Sequence, residues 1–466
     1  MLRNKRSLTV IAFSSFSSWL LSFLFGGQVL LTIASINNVN VNELTFGAIA
    51  AHFIGLFACG FFIKSTKAAK GLMLFSIPVC ILGTVVFFFI PSIMWHISLL
   101  ILSFLSGACV AAWGFYFKML AFSYERIKII ADVLIYSNIL MVIINTAAVL
   151  ISSYLGLALS ILMLSISLFF HTKLAVDQNT AEERHTRQPI KAVSPIKPLA
   201  FLCLFIVIIT INSGLMYQVI NPAFAHHEWL VSWYWALPYI AALYIVRNLS
   251  GKANRSYILY VAIAMIGLSS VGFMILDRSA ASYLIIDTLM LGACGVYDLF
   301  WWSILGEMLD YHHNPAKILG IGLSANVFGV LIGGMFGSTI ADSDTGSIDS
   351  SVLALVVVFI VLILLPLLHR HLSGLLKNHI FLTALSEIEP SKQKKAIENF
   401  TVIGRLTERE SEIAALLLKG RTYKMIADEL CLSENTVKTH IKNIYSKFNI
   451  QSKTELIKLL TGKETH

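Results

Sequence analysis

The sequence predicts an all-α protein in which a bundle of twelve transmembrane helices, six plus six, is followed by a C-terminal soluble domain of four short helices. Of the 466 residues, 57% are hydrophobic and only 13% are charged, against about a quarter charged in an ordinary soluble domain. The apolar residues gather into runs of roughly the 20 residues that a helix needs to cross a bilayer. These runs stop before residue 370, and charges then recur with the spacing of amphipathic helices.

Apolar runs separated by short polar breaks give the predicted spans and the domain boundaries. The first run is too long for a signal-peptide core and is predicted to be a membrane span. The predicted spans are 8–34, 44–63, 72–91, 97–120, 132–152, 154–171, 199–220, 229–247, 256–276, 281–305, 317–340 and 351–369. We divide the chain into a first six-helix half (1–171), a central loop (172–198), a second six-helix half (199–369), a linker (370–402) and a soluble domain (403–466).

Basic residues are concentrated on alternate turns of this layout. The opposite turns carry Glu43, Asp342 and Asp344, with Arg278 as a basic exception. By the positive-inside rule, the N-terminus lies in the cytoplasm, and an even number of spans returns the C-terminus to the same side. The chain is thus predicted to be a multi-pass protein of the cytoplasmic (inner) membrane, with these basic residues on cytoplasmic turns: Lys64, Lys67, Lys70, Arg126, Lys128, Arg247, Lys252, Arg255 and Lys317.

The two halves carry a short internal repeat. Gly107-Ala108-Cys109 in the fourth span and Gly292-Ala293-Cys294 in the tenth are each followed by an aromatic-rich turn. With the six-plus-six layout and the basic central loop, the membrane part resembles the major facilitator superfamily, whose halves are parallel repeats. The stretch from Gly60 to Lys67 lacks the acidic residue of that superfamily's loop motif. The resemblance therefore implies the fold, and the missing residue argues against active transport.

The soluble domain is predicted to contain four short helices. Thr407 is an N-cap followed by acidic residues in the first turn, and Gly420 ends that first helix. The second helix covers 422–430, the third covers 434–448 after the N-cap Ser433, and the fourth covers 452–461. A tight turn between the second and third helices makes this a helix-turn-helix unit.

This stretch resembles the LuxR/NarL-type DNA-binding domain over about 60 residues, a match too complete for chance spacing. The resemblance implies a transcriptional regulator that binds double-stranded DNA and reads paired half-sites as a homodimer. The residues that carry the match are Leu406, Thr407, Glu410, Gly420, Ile426, Ala427, Leu430, Ser433, Thr436, Val437, Lys438, His440, Ile444, Tyr445, Lys447, Glu455 and Leu456.

The resemblance also implies which residues meet DNA. The third helix enters the major groove, and Lys438, Thr439 and Lys442 correspond to positions that face base edges. Lys438 and Lys442 are four residues apart and so share a helix face, from which ammonium groups reach guanine acceptors or phosphates. A solvated charged face is the alternative interpretation. The predicted phosphate contacts, which set register without reading sequence, are Asn435, Thr436, Lys424 and Lys447.

Charged residues within the spans indicate a candidate ligand site, because charges are costly there and usually face a cavity or a partner. Asp298 is the strongest candidate and Asp287, eleven residues earlier on the same helix face, is the second. Asp310, near the cytoplasmic end, is predicted to be interfacial. An aromatic pocket for a small molecule is a further hypothesis, with lipid-facing anchors as the alternative; its residues would be Trp113, Tyr116, Tyr297, Trp301 and Trp302.

Three functional hypotheses follow. In the first, a small-molecule ligand shifts the two membrane halves between two packings and alters DNA binding by the soluble domain. In the second, the membrane part is a major-facilitator-type transporter with an attached regulatory DNA-binding domain. In the third, it is only an anchor and a partner protein senses the signal. No nucleophile–base pair, metal-ligand cluster or paired cysteine spacing is found among the residues, so we expect no enzyme, no metal and no cofactor.

Overall fold

The structure of the protein, a computed structural model, separates into two compact units, residues 1–371 and 372–466. All regular elements in the described part of the chain are helices, which confirms the predicted fold class. The structure describes residues 2–25, 27–121, 126–174, 196–248, 255–341, 346–386, 406–418, 423, 426–427, 430, 432–448, 450 and 455.

The first half of the membrane unit is a bundle of apolar helices. α1 packs on α6 and α7, and α3 packs on α5. Their bounds are α1 (Leu2–Ser22), α2 (Gln28–Ile36), α3 (Val41–Phe62), α4 (Thr66–Val85), α5 (Ile93–Leu120), α6 (Arg126–Leu150) and α7 (Ser153–Lys173).

The second half follows the central loop, most of which lies outside the described residues. A π-helix (Met216–Ile220) extends α8, and short helical turns at Asn221–Ala223, Ala225–His227 and Glu228–Val231 lead into α9. α8 packs on α12, while α9 and α10 pack on α11. The bounds are α8 (Ile196–Leu215), α9 (Ala236–Asn248), α10 (Arg255–Ile275), α11 (Ala280–Met308), α12 (Pro315–Ala341) and α13 (Gly346–Ser386).

The first predicted span, 8–34, is not one continuous helix. α1 ends at Ser22, and the chain turns through Phe25, whose φ of 59° lies in the left-handed region, before α2 begins at Gln28. A left-handed residue cannot continue a right-handed helix. Among the described residues, eleven helices are long and apolar enough to cross a membrane, and Ser7–Ser22 is a shorter apolar helix.

Glycines allow α3 to approach its neighbours closely. A Cβ at Gly55 would lie 2.0 Å from the carbonyl oxygen of Phe104 on α5, and one at Gly320 on α12 would lie 2.3 Å from that of Leu56. No larger residue fits at either point. Small residues at helix crossings are how membrane helices gain packing contacts without a hydrophobic driving force. α3 therefore joins the two halves by packing against both α5 and α12.

The C-terminal unit has its own apolar core. Its two longest described helices are α14 (Glu408–Leu418) and α15 (Glu434–Lys447), as predicted for the first and third helices. Tyr423, Ile426 and Ala427 are helical within the predicted second helix; the predicted fourth helix, 452–461, lies outside the described residues except for Glu455. The buried core contains Leu406, Ile413, Ala414, Leu417, Ile426, Ala427, Val437, Ile441 and Ile444.

Candidate nucleic-acid interface and intramembrane site

The orientation of α15 is fixed by its cap and its buried face. The Ser433 Oγ accepts a hydrogen bond from the Thr436 N–H at 3.1 Å and lies 2.7 Å from the Thr436 hydroxyl oxygen. Val437, Ile441 and Ile444 are buried in the core of the unit. The helix therefore begins at a defined residue, and its opposite face is exposed: Asn435, Thr436, Lys438, Thr439 and Lys442.

The exposed face of α15 carries the predicted base-reading residues together. Lys438 Nζ lies 3.1 Å from Glu434 Oε1, an exposed pair one helical turn apart. Thr439 donates its hydroxyl to the Asn435 carbonyl oxygen at 3.0 Å. Such a surface ion pair is worth only about 0.3–0.5 kcal/mol, so the Lys438 ammonium can exchange its partner for a base or a phosphate.

The start of α14 is closed by a reciprocal capping box. Glu410 accepts a hydrogen bond from the Thr407 N–H at 2.8 Å, and Thr407 Oγ1 accepts one from the Glu410 N–H at 3.3 Å. This arrangement satisfies two helix-end N–H groups at once. The predicted N-cap Thr407 thus has the expected role, with Glu410 as its partner.

Two of the predicted phosphate contacts have partners inside the unit. Lys447 Nζ donates to Glu410 Oε2 at 2.6 Å, and the Thr436 hydroxyl is engaged with Ser433. Burial acts to raise the pKa of Glu410, but hydrogen bonds from Lys447 and Thr407 outweigh it and lower that pKa. Lys447 therefore ties the end of α15 to the start of α14. Lys424 lies outside the described residues.

Sequence reasoning missed a basic residue, Arg409, that contacts the C-terminal end of the second helix. Arg409 donates to the Leu430 carbonyl oxygen at 2.6 Å and to Glu412 at 2.7 Å. A cation at a helix C-terminus satisfies a carbonyl that the helix itself leaves free. The sequence shows the charge of Arg409, but it does not show that this residue contacts Leu430, 21 residues away.

In the membrane unit, Asp298 lies within α11 and is half-buried. It accepts a hydrogen bond from the Tyr239 hydroxyl of α9 at 2.5 Å. Tyr217 and Cys294 lie within electrostatic range of the same carboxylate. Cys294 is in turn hydrogen-bonded to Ser213. The predicted candidate thus lies where α8, α9 and α11 meet.

Asp287 shares the helix face of Asp298, as their spacing predicted. Its side chain is 4% exposed, and its Oδ2 has no hydrogen-bond partner. Cys294 is within electrostatic range of both carboxylates. Within the described part of the chain, no lysine, arginine or histidine pairs with either one.

The π-helix is a feature that sequence reasoning missed. It covers Met216–Ile220 and carries Tyr217, whose side chain is 56% exposed. Pro222 has no N–H to donate to the carbonyl four residues earlier, which removes one α-helical hydrogen bond beside this segment. Pro222 was therefore the sequence signal from which an irregular helical segment could have been predicted here. Single π-helical turns inside α-helices occur frequently at functional sites.

The predicted aromatic residues lie in three separate groups. Trp113 stacks between Phe13 and Phe117, with ring centroids 4.1 and 4.8 Å away, and Trp302 meets it edge-on at 6.3 Å. The other residues lie elsewhere: Tyr297 stacks on Trp301 at 6.3 Å, and Tyr116 faces His171 of α7 at 6.3 Å. Trp113, Tyr116, Tyr297 and Trp301 are buried, while Trp302 is half-buried. They do not assemble around a single pocket.

Arg126 joins the two halves at the end that carries the basic turns. Its side chain is 4% exposed and donates two hydrogen bonds to Asp310, each 2.8 Å long. It also donates to the Gly306 carbonyl oxygen at 2.7 Å. Asp310, predicted to be interfacial, is thus one side of a bidentate ion pair, the strongest class of charged hydrogen bond.

Further polar contacts between the halves lie at the same end. Asn314 donates to the Gly60 carbonyl oxygen at 2.7 Å, and Lys118 donates to the His312 carbonyl oxygen at 2.9 Å. Arg247 of α9 pairs with Asp132 of α6 at 2.7 Å. The end with the basic turns is therefore held closed in this structure.

Comparison with known proteins identifies the C-terminal domain. A family model described as bacterial regulatory proteins, luxR family, matches residues 405–460. The transcriptional regulatory protein LiaR of Bacillus subtilis is 42% identical over 65 residues, which cover 14% of this chain and 31% of LiaR. The uncharacterized response regulatory protein YgeK of Escherichia coli is 45% identical over 65 residues, 14% of this chain and 44% of YgeK. The chain therefore covers less than half the length of either relative.

Solved structures resemble the membrane unit in fold. The human organic anion transporter MFSD10 superposes with a TM-score of 0.57 at 13% identity, covering 77% of this chain and 99% of that protein. The proton:xylose symporter XylE gives a TM-score of 0.54 at 11% identity, covering 77% and 94%. The chain thus combines a LuxR-family helix-turn-helix domain at its C-terminal end with a membrane domain of the major facilitator fold.

Proposed function

We propose that this protein is a membrane-bound transcriptional regulator whose membrane domain senses a small-molecule ligand and thereby controls DNA binding by the C-terminal domain. The observation that carries the proposal is the exposed face of α15. Lys438, Thr439 and Lys442 lie together on it, opposite a buried apolar stripe. A helix with this division presents its polar face to the major groove.

The proposed location is the cytoplasmic (inner) membrane, with both termini in the cytoplasm. The basic turns support this orientation through the positive-inside rule. It puts the helix-turn-helix domain in the compartment that holds the DNA. The partners are then the lipid bilayer and double-stranded DNA.

DNA binding as a homodimer follows from the size of the recognition surface. One helix such as α15 contacts a single half-site, and helix-turn-helix domains reach useful affinity by binding two half-sites one helical turn apart. Linking two weak sites raises their combined affinity without any new contact. Control of the distance between two tethered domains is therefore sufficient to control promoter occupancy.

Ligand sensing requires two arrangements of the membrane domain with different ligand affinities. The closed end held by Arg126 and Asp310 is one such arrangement. Asp298 and Asp287 supply intramembrane charges that a ligand could engage, with the half-buried Trp302 as an aromatic neighbour on the same helix. Binding that favours opening of the closed end would alter the position or dimerisation of the cytoplasmic domains.

Transport is the second candidate function, favoured by the major facilitator fold of the membrane domain. The absence of an acidic residue between Gly60 and Lys67 weighs against it. Uptake of a ligand into sealed vesicles that depends on Asp298 and on a proton gradient would favour this alternative.

Chromatin immunoprecipitation of the intact protein tests the proposal. The Lys438→Ala/Lys442→Ala variant should lose discrete genomic sites that the wild-type protein occupies. The matched control is Lys64→Ala/Lys67→Ala, which removes two exposed lysines from the membrane domain and should keep those sites. Absence of discrete sites for the wild-type protein, or full occupancy by the Lys438 and Lys442 variant, would contradict it.

A further inference from the structure

Two carboxylates lie within α11 without a cationic partner among the described residues. Asp298 accepts only the Tyr239 hydroxyl among its described hydrogen bonds, and Asp287 keeps an oxygen without a hydrogen bond. An acidic side chain within a membrane helix is costly unless a cavity, a partner or a ligand compensates it. In their ionised form, the two residues together would give this face of α11 a negative potential that favours a positive charge.

Tyrosine rings lie beside the more accessible carboxylate. Tyr239 is hydrogen-bonded to Asp298, and Tyr217 lies within electrostatic range of it. Tyr217 lies on the π-helix that extends α8, and its side chain is 56% exposed. Asp298 is itself half-buried, so Tyr217 and Asp298 both retain accessible surface beside the buried Tyr239.

We infer that Asp298, Tyr217 and Tyr239 form a binding site for an organic cation, a protonated amine carried on an apolar body. This inference rests on the proposed function, because it names the class of ligand that the membrane domain would sense. A carboxylate attracts the ammonium, and tyrosine ring faces stabilise a cation further when water is excluded. The apolar body would then contact apolar side chains of the neighbouring helices, as in most small-molecule sites.

The geometry also accounts for discrimination between ligands of equal shape. The Tyr239 hydroxyl already occupies one carboxylate oxygen as donor, which leaves the other free for an ammonium N–H. A neutral alcohol gains only a weaker hydrogen bond there, and a carboxylate ligand meets repulsion from Asp298 and, at longer range, from Asp287. Selectivity therefore follows from charge more than from shape.

Equilibrium binding to the full-length protein in lipid nanodiscs tests this inference. The probes are tritiated phenylpropylammonium, its neutral isostere phenylpropanol and its anionic counterpart phenylpropanoate, with tetraphenylphosphonium as a larger cation. We expect both cations to bind and the two isosteres to bind at least about tenfold more weakly, the scale of one charge-assisted contact. Asp298→Asn should weaken phenylpropylammonium binding by about tenfold or more, and Tyr239→Phe by a smaller factor. Asp277→Asn, which removes an exposed carboxylate from the same half, should have no effect.

The outcomes are separable from those of the proposed function. Binding of neither cation, equal binding of cation and isosteres, or unchanged binding by Asp298→Asn would overturn the inference. Because this assay contains no DNA, cation binding by a protein that occupies no promoter would contradict the regulator and leave the site standing. Promoter occupancy without cation binding would support the regulator and overturn the inferred cation site. Tyr239→Phe retains the ring and the acidic residue, so it reports on the site even if Asp298→Asn fails to fold.

Discussion

Lys447 at the end of α15 donates a hydrogen bond of 2.6 Å to Glu410, 37 residues earlier in the first turn of α14. The same carboxylate accepts the N–H of Thr407 in the capping box. One acidic residue therefore caps the start of α14 and anchors the end of α15. The orientation of α15 relative to α14 therefore depends on this link.

Loss of the Glu410 carboxylate should destabilise the C-terminal unit. Glu410→Gln keeps the shape of the side chain but removes the charge that holds Lys447, and hydrogen bonds to charged groups are worth about 1.5–3 kcal/mol. We expect a loss of about 1–3 kcal/mol in the free energy of unfolding of this unit. Urea titration of the full-length protein, with a fluorophore attached at Ser446→Cys after replacement of the native cysteines, measures it.

Glu412→Gln is the matched control for that change. Glu412 lies on the same helix and pairs with Arg409, but its side chain is 49% exposed. Exposed ion pairs contribute little, so its urea midpoint should stay near that of the wild-type protein. Equal effects of the two substitutions would show that Glu410 has no special structural role.

Acid should weaken the C-terminal unit through the same residue. Despite burial, the hydrogen bonds from Lys447 and Thr407 lower the pKa of Glu410 in the folded protein. A lowered pKa contributes stability above the unfolded-state pKa of about 4.3, and that contribution disappears as the pH falls through the folded-state pKa. The urea midpoint of the wild-type protein should therefore fall more steeply below about pH 5 than that of Glu410→Gln. Parallel pH profiles for the two proteins would contradict this assignment.

Residues on the exposed face of α15 should affect DNA binding in two distinct ways. Lys438→Ala removes a proposed base contact, so it should cost about 1–3 kcal/mol and relax sequence preference at one position of the half-site. Asn435→Ala removes a proposed phosphate contact and should weaken all sequences about equally. Binding to a library of randomised half-sites separates the two effects. Uniform weakening by Lys438→Ala would remove it from the base-reading set.

The bidentate pair of Arg126 and Asp310 should stabilise the closed end of the membrane domain. Arg126→Ala removes the buried guanidinium and both of its hydrogen bonds to the half-buried Asp310, at a cost of about 1.5–3 kcal/mol, and should shift the halves toward an open arrangement. Pulsed electron resonance between spin labels at Lys64→Cys and His313→Cys should then give a longer-distance population. Lys128→Ala removes an exposed lysine of the same helix and should leave the distances unchanged. An unaltered distribution in Arg126→Ala would mean that this pair does not hold the end closed.

Local chemistry made the C-terminal domain predictable from its sequence. Thr407 and Ser433 cap helices because their side chains satisfy nearby N–H groups, and the predicted third helix, 434–448, differs by one residue from Glu434–Lys447. The spacing of Asp287 and Asp298 likewise predicted that they share a face of α11. All of these features depend on residues within a few helical turns.

Features that depend on distant residues could not be predicted in the same way. The partner of Lys447 and the pair of Arg126 with Asp310 join residues far apart in the sequence. The break at Phe25 is different, because it directly precedes Gly26-Gly27-Gln28; this glycine pair is a local turn signal, which the length of the apolar run outweighed in the predicted span. The aromatic residues gave two open interpretations, one pocket or lipid-facing anchors, whereas tertiary packing buries most of them against different neighbours.

Binding of the purified full-length protein in nanodiscs to a promoter fragment recovered by immunoprecipitation tests the central claim most directly. Fluorescence anisotropy at two salt concentrations would compare the wild-type protein with Lys438→Ala/Lys442→Ala and with Lys64→Ala/Lys67→Ala. We expect the wild-type protein and the membrane-domain control to bind this fragment more tightly than a scrambled one, and the α15 variant to lose that preference with a smaller salt dependence. Equal binding of promoter and scrambled DNA by the wild-type protein, or an unchanged preference in the α15 variant, would contradict a regulator that reads DNA through α15.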